Sequence, residues 1–204
     1  MITFYSVTTA NGQKAAIALE EAELAYEMKP IDLQKGEHLS AEFLAVNPVG
    51  RAPVIVDKAQ DLVLYGTLPI AIYAAEHCGR MLPPAGAARA RAFDRAAFIA
   101  SDMGAAFTGQ FMFSSIFKEK LPAVIEFYEQ QVHRMVAVMD GYLAESEYLA
   151  GDEYTIADVL GYPQATTSLG RLPGALERYP NIQRWCALVA QRPAVARGMA
   201  ACSK

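Results

Sequence analysis

The segment 47–57, Asn-Pro-Val-Gly-Arg-Ala-Pro-Val-Ile-Val-Asp, places a proline directly in front of a short apolar run. Pro53 has no N–H to donate, so this run can form a strand only if the proline stands at its head or at a sheet edge. An X-Pro bond is also the one place where a cis peptide costs little. A cis bond at Ala52–Pro53 would turn the Ala52 N–H and C=O out of the sheet, where an extended peptide ligand could pair with them. An ordinary trans proline between a loop and a strand is the other interpretation of these residues.

The charge balance argues against nucleic acid and anionic membranes as partners. The formal net charge is −4 at pH 7, whereas nucleic-acid-binding proteins present clustered basic side chains. No apolar run approaches the ~18 residues that a membrane span needs, and the first residues have the pattern of a strand rather than of a signal peptide. With 204 residues the chain is long enough for one large domain or two small ones, and we expect it to be cytoplasmic.

The three cysteines, Cys78, Cys186 and Cys202, are far apart and form no Cys-x-x-Cys pair. An odd, scattered set predicts neither a disulfide framework nor a zinc site, and we expect no metal. It also excludes dithiol redox chemistry of the thioredoxin type, which needs paired cysteines. Each cysteine is therefore interpreted as a small core or surface residue.

Hydrophobic periodicity predicts a mixed arrangement of strands and helices in the first 80 residues. The predicted elements are strand 2–7, helix 11–25, strand 25–33, a short helix or turn at 41–46, strands 53–57 and 62–65, and helix 67–78. The four polar or small residues between the last two strands indicate a hairpin. The order is β-α-β-α-β-β-α, and we expect a right-handed crossover in the first β-α-β unit.

A proline-rich break separates this part from the rest of the chain. Residues 81–86, Met-Leu-Pro-Pro-Ala-Gly, indicate a linker, so we predict domains at 1–80 and 87–204. The second is predicted to be all helical, with helices at 87–117 (bent near Gly104 or Gly109), 122–143, 181–191 and 193–201, and one starting at Thr155. Thr155 and Asp158 have the spacing of a capping box, and Trp185 is expected in the helical core.

The order of these features resembles the cytosolic glutathione transferases, and the resemblance covers essentially the whole chain. It implies an N-terminal thioredoxin-like α/β domain that binds glutathione, followed by a C-terminal helical-bundle domain. The turn Thr8-Thr9-Ala10-Asn11 looks most like that of bacterial members with a Thr-x-Asn active site. Some of those members are known for glutathione-dependent disulfide-bond reduction.

The resemblance implies that Thr9 and Asn11 are the catalytic residues. They lie where the first strand ends and the first helix begins, and unpaired N–H groups and the helix dipole favour an anion there. The Thr9 hydroxyl and the Asn11 amide would donate to the glutathione sulfur and lower its pKa, because the thiolate is the nucleophile. From the residues alone, Asn11 could instead only cap the helix while Thr9 packs in the turn. Ala10 stands where some bacterial classes carry a cysteine, so a mixed disulfide between enzyme and glutathione is not expected.

The resemblance also implies a set of binding residues around an extended glutathione. The ligand backbone would run along Ala52 and Pro53, with its γ-glutamyl end at Gly66 and Thr67. The family usually has an acidic residue or Gln followed by Ser at this pair, so Gly66 removes the side chain that would meet the ligand ammonium. His38, Arg51 and Arg134 would add polar or charged contacts, Arg134 in some relatives across a dimer. From the residues alone, Thr67 could be a plain helix cap and the other three could be solvated surface side chains.

The acceptor substrate would lie between the two domains. Its candidate lining, which fits a helical core as well, is Met103, Phe107, Phe111, Met112, Phe113, Ser114 and Ser115. The implied function is that of a homodimeric glutathione transferase, whose bound thiolate attacks a small hydrophobic electrophile or reduces a disulfide or peroxide. The alternative is a non-catalytic module of the same fold for ligand binding or protein interaction. Gly66 and the absence of a strong Tyr, Ser or Cys donor in the turn favour that alternative.

Overall fold

The N-terminal part is a four-stranded mixed sheet with the strand order β2-β1-β3-β4. The computed structural model describes residues 1–172 and 174–202. The strands are β1 Ile2–Ser6, β2 Tyr26–Pro30, β3 Val54–Asp57 and β4 Leu62–Tyr65. β1 pairs in parallel with β2, while β3 pairs antiparallel with both β1 and β4. The β3–β4 hairpin is confirmed, and β2 is shorter than the predicted strand at 25–33.

Three α-helices accompany this sheet: α1 Ala10–Glu21, α2 Ala41–Val46 and α3 Thr67–Cys78. α1 connects the two parallel strands and is buried along nearly all its length, because it packs against α3 and against two helices of the second part. α1 comes close to the helix at Pro193–Ala201 at Gly198, where an added Cβ would lie 2.6 Å from the Ile17 nitrogen. α1 therefore belongs to the interiors of both parts of the molecule.

The second part is helical. Its α-helices are α4 Gly86–Phe98, α5 Gly104–Phe111, α6 Pro122–Glu145, α7 Ile156–Pro163, α8 Pro180–Val189 and α9 Pro193–Ala201. The predicted helix 87–117 contains two π-helical turns, Ile99–Met103 and Met112–Ile116, which flank α5. A thioredoxin-like sheet followed by a helical bundle is the predicted fold class, and it is confirmed. Within the described residues, no helix is both long and apolar enough to cross a membrane.

The predicted capping box at the start of α7 is confirmed. Thr155 is the N-cap, and the Asp158 carboxylate accepts a hydrogen bond from the Thr155 N–H at 2.8 Å. The same carboxylate accepts from the Leu149 N–H at 3.0 Å and from the Trp185 indole at 2.9 Å. Trp185 is fully buried, as predicted. One carboxylate thus joins α7, α8 and the loop before α7 in the helical core.

Candidate active site

A cavity of about 920 Å³ opens between the sheet and the helical bundle. On the sheet side it is lined by the β1–α1 turn, by the turn before β3 and by the start of α3. On the helical side it is lined by residues of α5 and α6 and by the turns that follow α7. Its volume lies within the range of small-molecule sites, which span roughly 300–1,000 Å³.

Thr9 and Asn11 line this cavity where α1 begins. Thr9 has extended backbone, and its Oγ1 accepts a hydrogen bond from the Gly12 N–H at 3.5 Å. Thr9 is therefore the N-cap, and the interpretation of Asn11 as the cap is wrong. Asn11 lies in the first helical turn with its side chain exposed, and that turn contains no acidic residue. The positive end of the helix dipole consequently faces the cavity without an anion of its own.

The turn before β3 is built around the buried side chain of Asn47. Its Nδ2 donates to the Arg51 carbonyl at 2.6 Å and its Oδ1 accepts from the Val49 N–H at 3.1 Å. The Ala52–Pro53 peptide bond is cis, which is one of the two interpretations that the sequence left open. In the part of the chain that the structure describes, the Ala52 N–H and C=O have no hydrogen-bond partner. Both residues line the cavity, so this backbone is open to a ligand.

The start of α3 forms a third wall of the cavity. Gly66 is the N-cap with φ +90° and Thr67 is the first helical residue. Thr67 therefore does not cap the helix, contrary to the plain structural interpretation. This N-terminus has no side-chain cap and no acidic residue in its first turn. Its N–H groups, like those of α1, are available to an anion.

The remaining candidates divide between the cavity and the rest of the surface. Arg51 lines the cavity, whereas His38 and Arg134 do not. His38 lies in a 3₁₀ turn, Glu37–Leu39, and Arg134 is exposed on α6. Of the acceptor-site candidates, Phe107 and Phe111 line the cavity. The other five, Met103, Phe113, Met112, Ser114 and Ser115, do not.

Sequence reasoning missed Lys14, Gln164 and Arg171, which also line the cavity. Lys14 is 2% exposed; its Nζ donates to Asn11 Oδ1 at 3.1 Å and to Gln164 Oε1 at 2.6 Å. Burial lowers the pKa of Lys14 to about 7. The lining thus contains three cationic residues and, among the described residues, no aspartate or glutamate. The signal for Lys14 was a lysine one turn after Asn11 on the face of α1 that carries Ala15 and Ile17.

The described residues contain no group of three or more His, Cys, Asp or Glu side chains that could hold a metal ion. All three cysteines are free thiols. None of them lines the cavity, and Ala10 does. Chemistry in this cavity therefore depends on hydroxyl, amide and cationic groups together with whatever a ligand brings.

Comparison with known proteins identifies the family. Residues 10–77 match the model of the glutathione S-transferase N-terminal domain, and residues 103–193 match that of the C-terminal domain. The chain is 30% identical over 204 residues to disulfide-bond oxidoreductase YfcG of Escherichia coli (strain K12), covering 98% of this chain and 94% of that protein.

Two solved structures have similar folds. One is a glutathione transferase homologue from Lodderomyces elongisporus with two GSH per subunit (TM-score 0.92, 29% identity, 98% of each chain covered). The other is the glutathione transferase URE2P6 from Phanerochaete chrysosporium in complex with oxidized glutathione (TM-score 0.92, 29% identity, 99% of this chain and 96% of that chain covered). The sequence matches and the shared fold agree, and the chain belongs to the glutathione S-transferase family.

Proposed function

We propose that the cavity binds glutathione and activates its thiol for attack on a disulfide or another electrophile. The observation that carries this proposal is the convergence of Thr9 and Asn11, Ala52 and Pro53, and Gly66 and Thr67, from three separate segments, on one cavity. Two of these segments are helix N-termini without acidic residues, which suit the carboxylate and thiolate of glutathione.

In the proposed pose the peptide backbone of glutathione lies extended beside Ala52. The γ-glutamyl carboxylate meets Thr67 and the N-terminus of α3, and Gly66 contributes only backbone. The sulfur reaches the Thr9 hydroxyl and the Asn11 amide, which stabilise the thiolate and raise its fraction at neutral pH. Arg51 supplies charge for a ligand carboxylate. His38 and Arg134 are proposed as outer contacts, with Arg134 reaching the ligand across a dimer.

Disulfide reduction is the reaction that we propose for this cavity. A bound glutathione thiolate attacks one sulfur of the substrate disulfide, forms a mixed disulfide and releases the other sulfur as a thiolate that takes up a proton. A second glutathione thiolate then attacks the mixed disulfide, which yields oxidised glutathione and the second reduced substrate sulfur. Because the cysteines lie outside the cavity lining, both electrons come from glutathione. The activity in the name of YfcG and the two GSH per subunit of the Lodderomyces protein support this reaction.

The proposal extends to subgroup, assembly and compartment. Thr9 and Asn11 at the cavity support membership of the Thr-x-Asn subgroup, and the domains are proposed at 1–80 and 87–204. Exposed apolar side chains on the edge strand β4 and around α5 and α6, namely Val63, Tyr65, Phe111, Met112, Ile116 and Phe127, support a two-fold homodimer. Three free thiols suit the reducing cytoplasm.

Thermal unfolding in the presence of reduced or oxidised glutathione tests the binding. A ligand that binds only the native state at a hundredfold excess over Kd stabilises it by about 2.7 kcal/mol. We expect a saturable rise in melting temperature with each form, and a disulfide-reduction assay should show turnover. No rise with either form would contradict the proposal.

A pair of variants tests the chemistry. Asn11→Ala should still be stabilised by oxidised glutathione, which has no thiol to ionise, but should lose turnover, whereas Gln60→Ala, which removes an exposed amide outside the cavity, should match the wild type. Binding without turnover in the wild type would instead support the non-catalytic module, which the missing side chain at Gly66 favours.

A further inference from the structure

Lys14 is a buried lysine that has no anionic partner among the described residues. It is held only by the amide oxygens of Asn11 and Gln164, and no ion pair involves it among the described residues. Removing an ammonium from water without a counter-charge is expensive, and proteins rarely retain such a group without a use for it. An ammonium also has three N–H donors, and within the part of the chain that the structure describes only two of them have acceptors.

The neighbouring charged groups do not supply the missing anion. On α1 and the elements packed against it, the titratable or charged side chains are Glu20, Glu21, Tyr73, Glu76, His77, Cys78, Asp158, Tyr162 and Arg197, with Arg51 and Arg171 across the cavity. Glu20 and Glu21 pair with Arg197 and Arg192. Glu76 pairs with Arg89, and the Asp158 carboxylate accepts from the α7 cap and Trp185. Each described carboxylate on these elements therefore already has a partner of its own.

The contact with Lys14 also fixes the orientation of the Asn11 side chain. An ammonium can only donate, so the Asn11 oxygen must face Lys14 and the Asn11 NH₂ must point away from it. No described group accepts a hydrogen bond from that NH₂, and Asn11 is exposed at the cavity. The lysine thus leaves the donor end of the Asn11 amide free for a ligand.

We propose that Lys14 is a positioning residue that turns the Asn11 amide donors toward the glutathione sulfur and supplies the positive charge that balances the bound thiolate. This inference rests on the proposed function, since it concerns the same site. Gln164, which comes from the helical part 150 residues further along the chain, holds the ammonium from the other side. The helical domain therefore tunes the acidity of a thiol bound by the sheet domain.

The test measures the pKa of the bound glutathione thiol from the ultraviolet absorbance of the thiolate as the pH is varied. It also compares the affinity of each protein for glutathione and for S-methylglutathione, which has no titratable thiol. Lys14→Met removes the charge and keeps an unbranched side chain. It should raise the pKa of the bound thiol by about one unit or more, because it removes both the nearby positive charge and the contact that orients the Asn11 amide. It should also weaken glutathione binding about tenfold at neutral pH without changing S-methylglutathione binding.

Two further variants separate charge from packing. Gln164→Glu keeps the contact with Lys14 but gives the ammonium a carboxylate partner, so the pKa of the bound thiol should rise although the lysine is intact. Thr167→Val removes a neighbouring hydrogen bond between the same two parts, from Thr167 Oγ1 to Gln13 Oε1 at 2.6 Å. Thr167 does not line the cavity, and this variant should leave the thiol pKa unchanged.

The outcomes are distinct. A wild-type thiol pKa in both Lys14→Met and Gln164→Glu would overturn the inference, and so would an equal loss of affinity for glutathione and S-methylglutathione in Lys14→Met. A wild-type protein that binds neither ligand would overturn the proposed function and the inference with it.

Discussion

Two helices of this protein, α1 and α7, begin after a threonine N-cap, but only α7 has a carboxylate in its first turn that accepts hydrogen bonds at the N-terminus. α7 begins Thr155-Ile-Ala-Asp158 and closes its N-terminus with the Asp158 carboxylate. α1 begins Thr9-Ala-Asn-Gly12, with a cap hydrogen bond at the long limit of 3.5 Å and no carboxylate. One N-terminus is saturated in the core and the other is open to a cavity. A helix that contains its own anion stabilises the fold, and one that lacks it can bind the anion of a ligand.

The backbone around Gly12 explains why α1 cannot close in the same way. An added Cβ at Gly12 would collide with the carbonyl oxygen of Val7. No side chain can therefore stand at the position that Asp158 occupies in α7, and a capping box cannot form. The β1–α1 turn thus keeps the α1 N-terminus free for a ligand through its steric packing.

Buried charge shows the same contrast. Burial raises the pKa of Asp158 to about 6, although four hydrogen bonds from Leu149, Thr155 and Trp185 favour its carboxylate form. Lys14 has two acceptors, and its pKa is lowered by burial to about 7. A buried charge whose hydrogen bonds are complete serves the fold, while an incomplete set leaves room for a ligand.

The largest predicted effect is a loss of stability at the closed N-terminus of α7. Asp158→Ala leaves the donors of Leu149, Thr155 and Trp185 buried without an acceptor. We expect a loss of ~3–5 kcal/mol in the free energy of unfolding, as when one partner of a buried charged network is removed. Urea denaturation measures it, and Asp152→Ala, which removes an exposed carboxylate nearby, is the control. Equal stabilities of the two variants would refute the assignment of Asp158 to the core.

At the open N-terminus of α1, the buried Lys14 should lower the stability of the ligand-free protein by an amount that depends on pH. Its pKa is about 7 in the folded state against 10.5 for the ordinary group, so between these values the unfolded chain binds more protons. The cost is full below pH 7 and is relieved as the pH rises toward 10.5. Between about pH 7 and 9, wild type should gain ~2 kcal/mol relative to Lys14→Met.

Urea denaturation at the two pH values measures this gain. Lys58→Met, which changes an exposed lysine, should show no such gain of wild type over variant. A constant difference between wild type and Lys14→Met would mean that the buried ammonium does not titrate in this window.

Sequence patterns predicted the fold well because they are local. Periodicity placed α3 and the hairpin, and the spacing of Thr155 and Asp158 identified the capping box, since each depends on residues within a few positions. The prediction of a helix at 87–117 was correct in extent but missed its π-helical turns. Such turns change the backbone hydrogen bonds without changing the apolar pattern.

The site was predictable only where it follows local chain order. Thr9 and Pro53 were recognisable from their turns, but the contact between Lys14 and Gln164 spans 150 residues and no local pattern encodes it. For His38 and Arg134 the resemblance implied binding roles, whereas the structure leaves both outside the cavity lining. Where a surface side chain reaches depends on tertiary packing and assembly.

Gly66 offers a smaller test, since α3 is the second open N-terminus. A longer side chain would have space there, the nearest atom to an added Cβ being 3.7 Å away, but φ is +90°. Gly66→Gln should therefore cost ~1–2 kcal/mol of folding free energy through backbone strain. It should also tighten glutathione binding, because it supplies an acceptor for the ligand ammonium.

Gly36→Gln is the matched control for this variant. Gly36 also has positive φ and open space, but it lies outside the cavity lining. It should destabilise the protein without tightening binding. Urea denaturation measures the stability of both variants, and calorimetric titration measures their affinity for glutathione. An affinity of Gly66→Gln no higher than that of wild type would show that the missing side chain does not limit binding.

The smallest effects are predicted for the two threonine N-caps, Thr155 and Thr9. One substitution should lower mainly the stability and the other mainly the turnover. Thr155→Ala removes the hydroxyl from the closed N-terminus and should cost ~1 kcal/mol, while Thr9→Ala loses only a long, weak cap bond and should cost a few tenths. Glutathione-dependent turnover should respond in the opposite order, with Thr9→Ala losing it and Thr155→Ala keeping it. Chemical denaturation and initial rates of disulfide reduction on the same preparations measure both. If Thr9→Ala were the less stable variant and kept its turnover, the α1 N-terminus would be a structural cap like that of α7. The N-terminus of α3 would then be the one that is free to bind the anion of a ligand.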